Sequence, residues 1–131
     1  MSSLSNFAEA SLLDHLFNLA AYTQPTIYIA VSTADPTDNA SGLTEPSGNN
    51  YSRITTSSSD WTRSVSTVEN AVELAFPEAT GSWGTITHVA LMDALTAGNM
   101  IAHTNLTGGG VAIQANDTLR FPAGELTLTM D

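Results

Sequence analysis

The sequence has no cysteine, no lysine and only three arginines, and charged and aromatic side chains are both sparse. Without cysteine, disulfide frameworks, thiol catalysis, iron–sulfur clusters and thiolate zinc sites are excluded. The 3 arginines face 13 carboxylates, which leaves a formal charge of −10. Nucleic-acid affinity comes mainly from clustered cations, so this balance excludes a nucleic-acid partner, and it disfavours anionic membrane surfaces for the same reason. A membrane span is excluded as well. The most apolar helical stretch, within residues 4–22, is interrupted by Asn6, Glu9, Asp14, His15 and Asn18. The start lacks the basic residues and small-residue cleavage site of a secretory signal, so the expected compartment is the cytoplasm in which the chain is made.

What is present suits one β-rich domain over residues 1–131. A folded chain of this length hides roughly two thirds of the surface its unfolded form exposes, so it needs no disulfide or metal staple. Hydrophobic residues make up 42% of the chain, which excludes the composition of a disordered segment. Ser and Thr supply 32 of the 131 residues; with punctuating glycines, they suit strands kept soluble by hydroxyls and carboxylates.

Hydrophobic periodicity predicts one helix, over residues 5–21. Asn6 and Glu9 have the spacing of a capping box, and Ala8, Leu12, Leu13, Leu16, Phe17 and Ala20 form one broad apolar stripe. Gln24-Pro25 is the expected terminator. From Thr26 the period changes to two. Strands are predicted over 26–32, 51–56, 72–76, 85–92, 100–106, 111–115, 118–121 and 125–130, about eight in all, with 61–65 as a further candidate, in an antiparallel sandwich, jelly roll or barrel over 26–131. Residues 34–50 form a long loop with no periodicity, a feature that is usually functional or mobile.

Few side chains offer chemistry. Mirroring the 85–92 and 100–106 strands about their turn puts His88 opposite His103, a pairing that would suit a metal ion or a pH switch; a slip in register would separate the rings, and spacing supplies no third ligand. Asp35, Asp38 and Asn39 are hard oxygen donors of the calcium type, but Asp-Pro and Asp-Asn pairs are also plain turn formers. No Gly-x-Ser-x-Gly elbow exists, no carboxylate pair is placed by spacing, and Gly108–Gly110 is followed by neither helix nor lysine. The matches to the glycosylation pattern at Asn39, Asn105 and Asn116 are chance in so Thr-rich a chain. No enzyme and no cofactor are expected. Trp61, Trp83, Tyr51, Tyr22 and Tyr28 suit either a sugar-stacking platform or the core. Arg53, Arg63 and Arg120 are expected to pair with carboxylates within the fold or across a subunit interface.

The segment Phe76-Pro-Glu-Ala-Thr-Gly-Ser-Trp-Gly-Thr-Ile-Thr-His-Val-Ala-Leu-Met-Asp-Ala94, then Gly98-Asn99, and the ending Asn116-Asp-Thr-Leu-Arg-Phe-Pro-Ala-Gly-Glu-Leu-Thr-Leu128 resemble small virion proteins of tailed bacteriophages. The Ala-Val-Ser-Thr-Ala-Asp-Pro-Thr segment (30–37) and Tyr51-Ser-Arg53 fit the same pattern, while 38–50 and 55–70 match least. The resemblance implies a jelly-roll-like sandwich and a structural role. It points first to a cement or decoration subunit, typically a trimer, that clamps major capsid proteins on the capsid exterior. A tail, collar or fibre-base component touching other virion proteins or host glycans is the alternative. In that picture the helix and the 34–50 loop are free to contact a neighbour, which makes Leu12, Leu16, Leu19, Asp35, Asp38, Leu43, Arg53 and Arg63 the interface candidates. The apolar stripe of the helix would equally serve to cover its own sandwich.

Overall fold

Alternation after Thr26 resolves into short antiparallel strands, which the computed structural model describes over residues 3–130. In chain order they are β1 (Ser3–Leu4), β2 (Tyr28–Ser32), β3 (Ile54–Thr55), β4 (Trp61–Ser64), β5 (Thr67–Asn70), β6 (Leu74–Ala75) and β7 (Gly84–Ile86). β8 (His88–Met92), β9 (Met100–Asn105), β10 (Val111–Ile113), β11 (Arg120–Phe121) and β12 (Thr127–Thr129) complete the set, and a single α-helix, α1 (Asn6–Leu16), follows β1. The largest sheet has the order β1-β9-β8-β2-β3; β12-β5-β4 form a second, and β10-β7 and β11-β6 are two-stranded ribbons. Every pairing is antiparallel.

Twelve strands stand among the described residues where about eight are expected, for two reasons. The predicted 85–92 strand breaks at Thr87, whose N–H bonds to Ser32 O and whose carbonyl accepts from Leu106 N. In addition, β1 and β5 each carry a single apolar residue, Leu4 and Val68, and so show no alternation of their own; they exist through their partners on β9, β4 and β12.

β2 and β8 are buried on both faces, as strands at the centre of a covered sheet must be. One face sends Ile29, Val31 and Val89 into the main core with Leu74, Phe76, Trp83, Ile86, Ile113, Phe121 and Leu126. That single cluster draws on strands or flanking residues of all four sheets, and burying each such side chain stabilises the fold by about 1.5–3 kcal/mol. The opposite face carries Ala30, Ala90, Met92 and Met100, against which Tyr28, Ala40 and Leu43 pack. The two alanines leave room for the loop after β2 to lie close over the sheet.

The helix departs from its expected bounds at both ends. Ser5, not Asn6, is the N-cap: its Oγ accepts from Ala8 N at 3.1 Å and donates to Met100 O, while its own N–H bonds to Ile101 O. Pairing of β1 with β9 fixes Ser5 against the sheet, which puts Glu9 one position too late for a capping box. At the other end Asn18 takes a left-handed φ of 58°. Leu19 N then bonds to Asp14 O and Asn18 N to His15 O, the paired bonds of a Schellman ending. The helix therefore stops at Leu16, well before Gln24-Pro25. Only Ala8 of its residues is buried, so its C-terminal half does not cover the sheet.

Candidate interaction surface

The residues after β2 are tied down by their own side chains. Ser32 Oγ accepts from Ala34 N and Thr44 N, and Thr33 N bonds to Thr44 O, which closes the base of the loop. Within it, Asp35 Oδ1 accepts from Thr37 N, and Asn39 Oδ1 accepts from Thr37 Oγ1 and Ser41 N. These are the local bonds of turn formers, and they occupy oxygens that a cation would need. Gly42 is required by close approach, because a Cβ there would lie 2.1 Å from Asp35 O. Asp38 links the loop to its surroundings: its carbonyl accepts from Asn6 N, and its Oδ1 lies 3.1 Å from His103 Nε2.

The next stretch is fastened from within. Arg53 makes a two-pronged pair with Glu45, Nε to Oε1 at 2.9 Å and Nη2 to Oε2 at 2.7 Å. Its Nη1 donates to Ala94 O at 2.6 Å and Ala97 O at 2.9 Å, in the connection between β8 and β9. Tyr51 Oη donates to Glu45 Oε1 at 2.7 Å and accepts from Val31 N, while its ring meets Phe76 and Trp83. Burial pushes the Glu45 carboxyl up, but the bonds from Arg53 and Tyr51 and the Arg53 charge outweigh it and hold it below its ordinary value. Burial, then the bond to Glu45, drives the Tyr51 phenol far up. The Glu45 bond likewise raises Arg53 against the opposing effect of burial. Asn49 completes the seam, its carbonyl accepting from Trp83 Nε1 and its Nδ2 donating to Ser82 O.

These contacts sort the expected interface residues. Arg53 is withdrawn from the surface: its side chain is 4% exposed and its guanidinium is held inside the chain. Leu43 packs on the second apolar cluster, and Leu12 is half-buried. Asp35 and Asp38 are exposed, as are Leu16 at 74% and Leu19 at 75%. Arg63 is exposed and donates to Val65 O, two residues along its own hairpin, and Arg120 pairs with Glu73 at 3.1 Å on the surface.

The histidines are not opposite each other. His88 pairs with Asn105 and His103 with Ala90, so the rings are diagonal neighbours. The register shifts between Leu91 and Met92, an irregularity that mirror symmetry about the turn does not foresee. His88 Nδ1 lies 2.8 Å from Thr87 Oγ1. Among the described residues, no group of three or more His, Asp or Glu side chains stands close enough to hold a metal ion. No helix among them is long and apolar enough to cross a membrane.

The aromatic residues divide. Trp83 is buried in the core and Tyr51 joins it there, Tyr22 meets Phe7 edge-on at 6.2 Å, and Tyr28 packs under the loop. Trp61 is half-buried, with Nε1 donating to Thr56 Oγ1.

Two further features mark the surface, of which the second was foreshadowed by the interface candidates Leu16 and Leu19. One is a cleft of about 240 Å³ between β9 and the β12-β5-β4 sheet, walled by Ile27, Trp61, Val68, Leu91, Leu126 and Leu128. The other is the apolar tip at the end of α1, where Leu13 (56%), Leu16, Phe17 (72%) and Leu19 all face outward. The stripe itself was legible, and its outward end was signalled by Asn18, the residue type other than glycine that best tolerates a left-handed cap. The cleft is made by strands distant in sequence and left no local signal.

An exposed apolar tip and an apolar cleft are surfaces of the kind through which proteins contact partners or ligands. The chain belongs to the family described as podophage GP4 fiber I protein gp80, whose profile it matches over residues 3–129, and with it to the structural proteins of tailed-phage virions. No curated protein matches it.

Proposed function

We propose that the chain is a non-enzymatic subunit of a tail fibre or fibre base, held to neighbouring subunits of the virion through the tip of α1, with the acidic loop at the other end of the helix as a second contact. The observation that carries this reading is the family match over residues 3–129, because the family is described by a fibre. The exposed apolar tip supports it, since soluble chains seldom leave four large apolar side chains together in water without a partner. Asp35 and Asp38, exposed in the loop that meets α1 at Asn6, offer polar contacts of their own. The fold is a single jelly-roll-like domain, supported by one core cluster that draws on all four sheets. The working form is a homo-oligomer, a trimer in keeping with the resemblance, on the particle and assembled in the host cytoplasm.

The capsid-exterior reading, a cement subunit bracing major capsid proteins, rests on the resemblance alone and has no support from the family's description. Quantitative mass spectrometry of purified virions separates the two. The fibre reading expects a few to a few tens of copies, set by tail symmetry. A number matching the major capsid protein would replace it with the cement reading.

A further inference from the structure

The cleft and the tip fit each other. At about 240 Å³ the cleft falls below the roughly 300–1,000 Å³ of pockets for drug-sized ligands. It exceeds the ~150 Å³ that encloses a benzene molecule. That is room for one aromatic ring with an aliphatic neighbour, which is what Phe17 and Leu16 present at the end of α1. The walls are mainly apolar, with His103, Asn105 and threonines supplying a polar part, and Glu125 is the only carboxylate on the lining. Residues 16–24 of the tip segment carry no charge at all. For copies that each bear a formal charge of −10, uncharged apolar surfaces are where mutual repulsion is least.

We propose that copies of this chain associate head to tail, with Leu16 and Phe17 of one copy seated in the β9–β12 cleft of the next. The proposal names the partner of the tip, and it rests on the reading above only in treating that tip as a contact surface. The exposed parts of Leu13, Leu16, Phe17 and Leu19 amount to on the order of 500 Å², at the upper end of the largest patch on a monomer. A stable interface needs about 800 Å² per partner, so the tip supplies the apolar centre and the polar residues around the tip and the cleft supply the rest. Each chain carries one tip and one cleft, which makes the contact heterologous: it closes into a ring or runs on as a filament. The tip of the same chain does not enter this cleft, because Phe17 and Leu16 stand free of it.

The test is sedimentation of the purified full chain from micromolar to millimolar concentration, with tryptophan emission followed in parallel. Trp61 lines the cleft while Trp83 is buried in the core, so an emission shift that tracks assembly reports the cleft being filled. Phe17→Ser, at an exposed position, is expected to keep the melting temperature, weaken association by more than about tenfold and abolish the shift. Leu128→Gln is expected to weaken association equally from the cleft side. Mixing the two variants is expected to yield dimers and nothing larger, since one intact tip and one intact cleft remain. A wild-type chain that stays monomeric at millimolar concentration overturns the proposal. So does a Phe17→Ser chain that assembles like wild type, or assembly with no change in tryptophan emission. Should Leu128→Gln fail to fold, the comparison of wild type with Phe17→Ser by emission decides alone. Virion copy number is independent of every one of these outcomes, so failure here leaves the fibre assignment standing.

Discussion

Replacing Arg53 by alanine removes the fastening between the 45–53 stretch, the core tyrosine and the β8–β9 connection. Four N–H bonds are lost, two to Glu45 and one each to the carbonyls of Ala94 and Ala97. Breaking a buried ion pair by removing one partner costs about 3–5 kcal/mol, mainly because the other charge is left without compensation. Here the lower end applies. The Glu45 side chain is 23% exposed and can draw water, and Ala97 lies on an exposed turn where its carbonyl can be hydrated. A loss of about 3 kcal/mol is a large share of the 5–15 kcal/mol typical of a domain, and at this size it lowers the melting temperature by about 10 °C. Urea unfolding followed by the fluorescence of buried Trp83 measures it, with an unchanged slope showing that the denatured state is not what moved. The double variant Glu45→Met with Arg53→Met carries the stronger check. It removes both charges, so it is expected to be more stable than Arg53→Ala alone. A single-variant loss under about 1 kcal/mol, or a double variant worse than the single, would refute the argument.

Other outcomes follow from the same contacts. Glu45 is held below its ordinary value, so its contribution is fully present above the unfolded value of about 4.3 and fades as pH falls through the folded one; in Glu45→Gln, that part of the acid loss in a pH-dependent melt should be absent. Ser5→Ala removes the helix cap and the bond to Met100 O, for an expected loss of about 1–2 kcal/mol in urea unfolding. An unchanged midpoint would mean that α1 is held by something else. Trp83→Ala should cost about 3–5 kcal/mol as a core truncation, whereas Leu19→Ser, at an exposed site, should stay within about 0.5 kcal/mol by thermal melting.

How much of this was readable beforehand depends on the range over which each feature is encoded. The alternation of Ile27, Ile29 and Val31, and the run from His88 to Met92, marked strands because a half-buried or buried sheet imposes its own period. The helix was visible in its stripe. Its start was misplaced because the competition between Ser5 and Asn6 for the cap is decided by β9, about a hundred residues away. Its end was set by a single asparagine whose left-handed turn competes with the continuing apolar pattern. Arg53 read as pairing with a carboxylate either within the fold or across an interface, and the choice between them depends on Glu45, Ala94 and Ala97 converging in space. The histidine register failed for a similar reason, since the irregularity between Leu91 and Met92 leaves no local mark. The family resemblance lay in the contiguous segments from Phe76 to Leu128. The cleft between β9 and β12 is assembled from six separate stretches and could be found only in three dimensions.

The measurement that bears most directly on the central claim is where the chain sits on the particle. Virions of the phage that encodes it, labelled with gold-bound antibody against the exposed Gln114–Asp117 turn and viewed by electron microscopy, give the answer in one image. The account predicts label confined to the tail and its fibres. Label spread evenly over the head would contradict the fibre assignment in favour of capsid cement, and particles carrying none of the protein would contradict a virion role altogether.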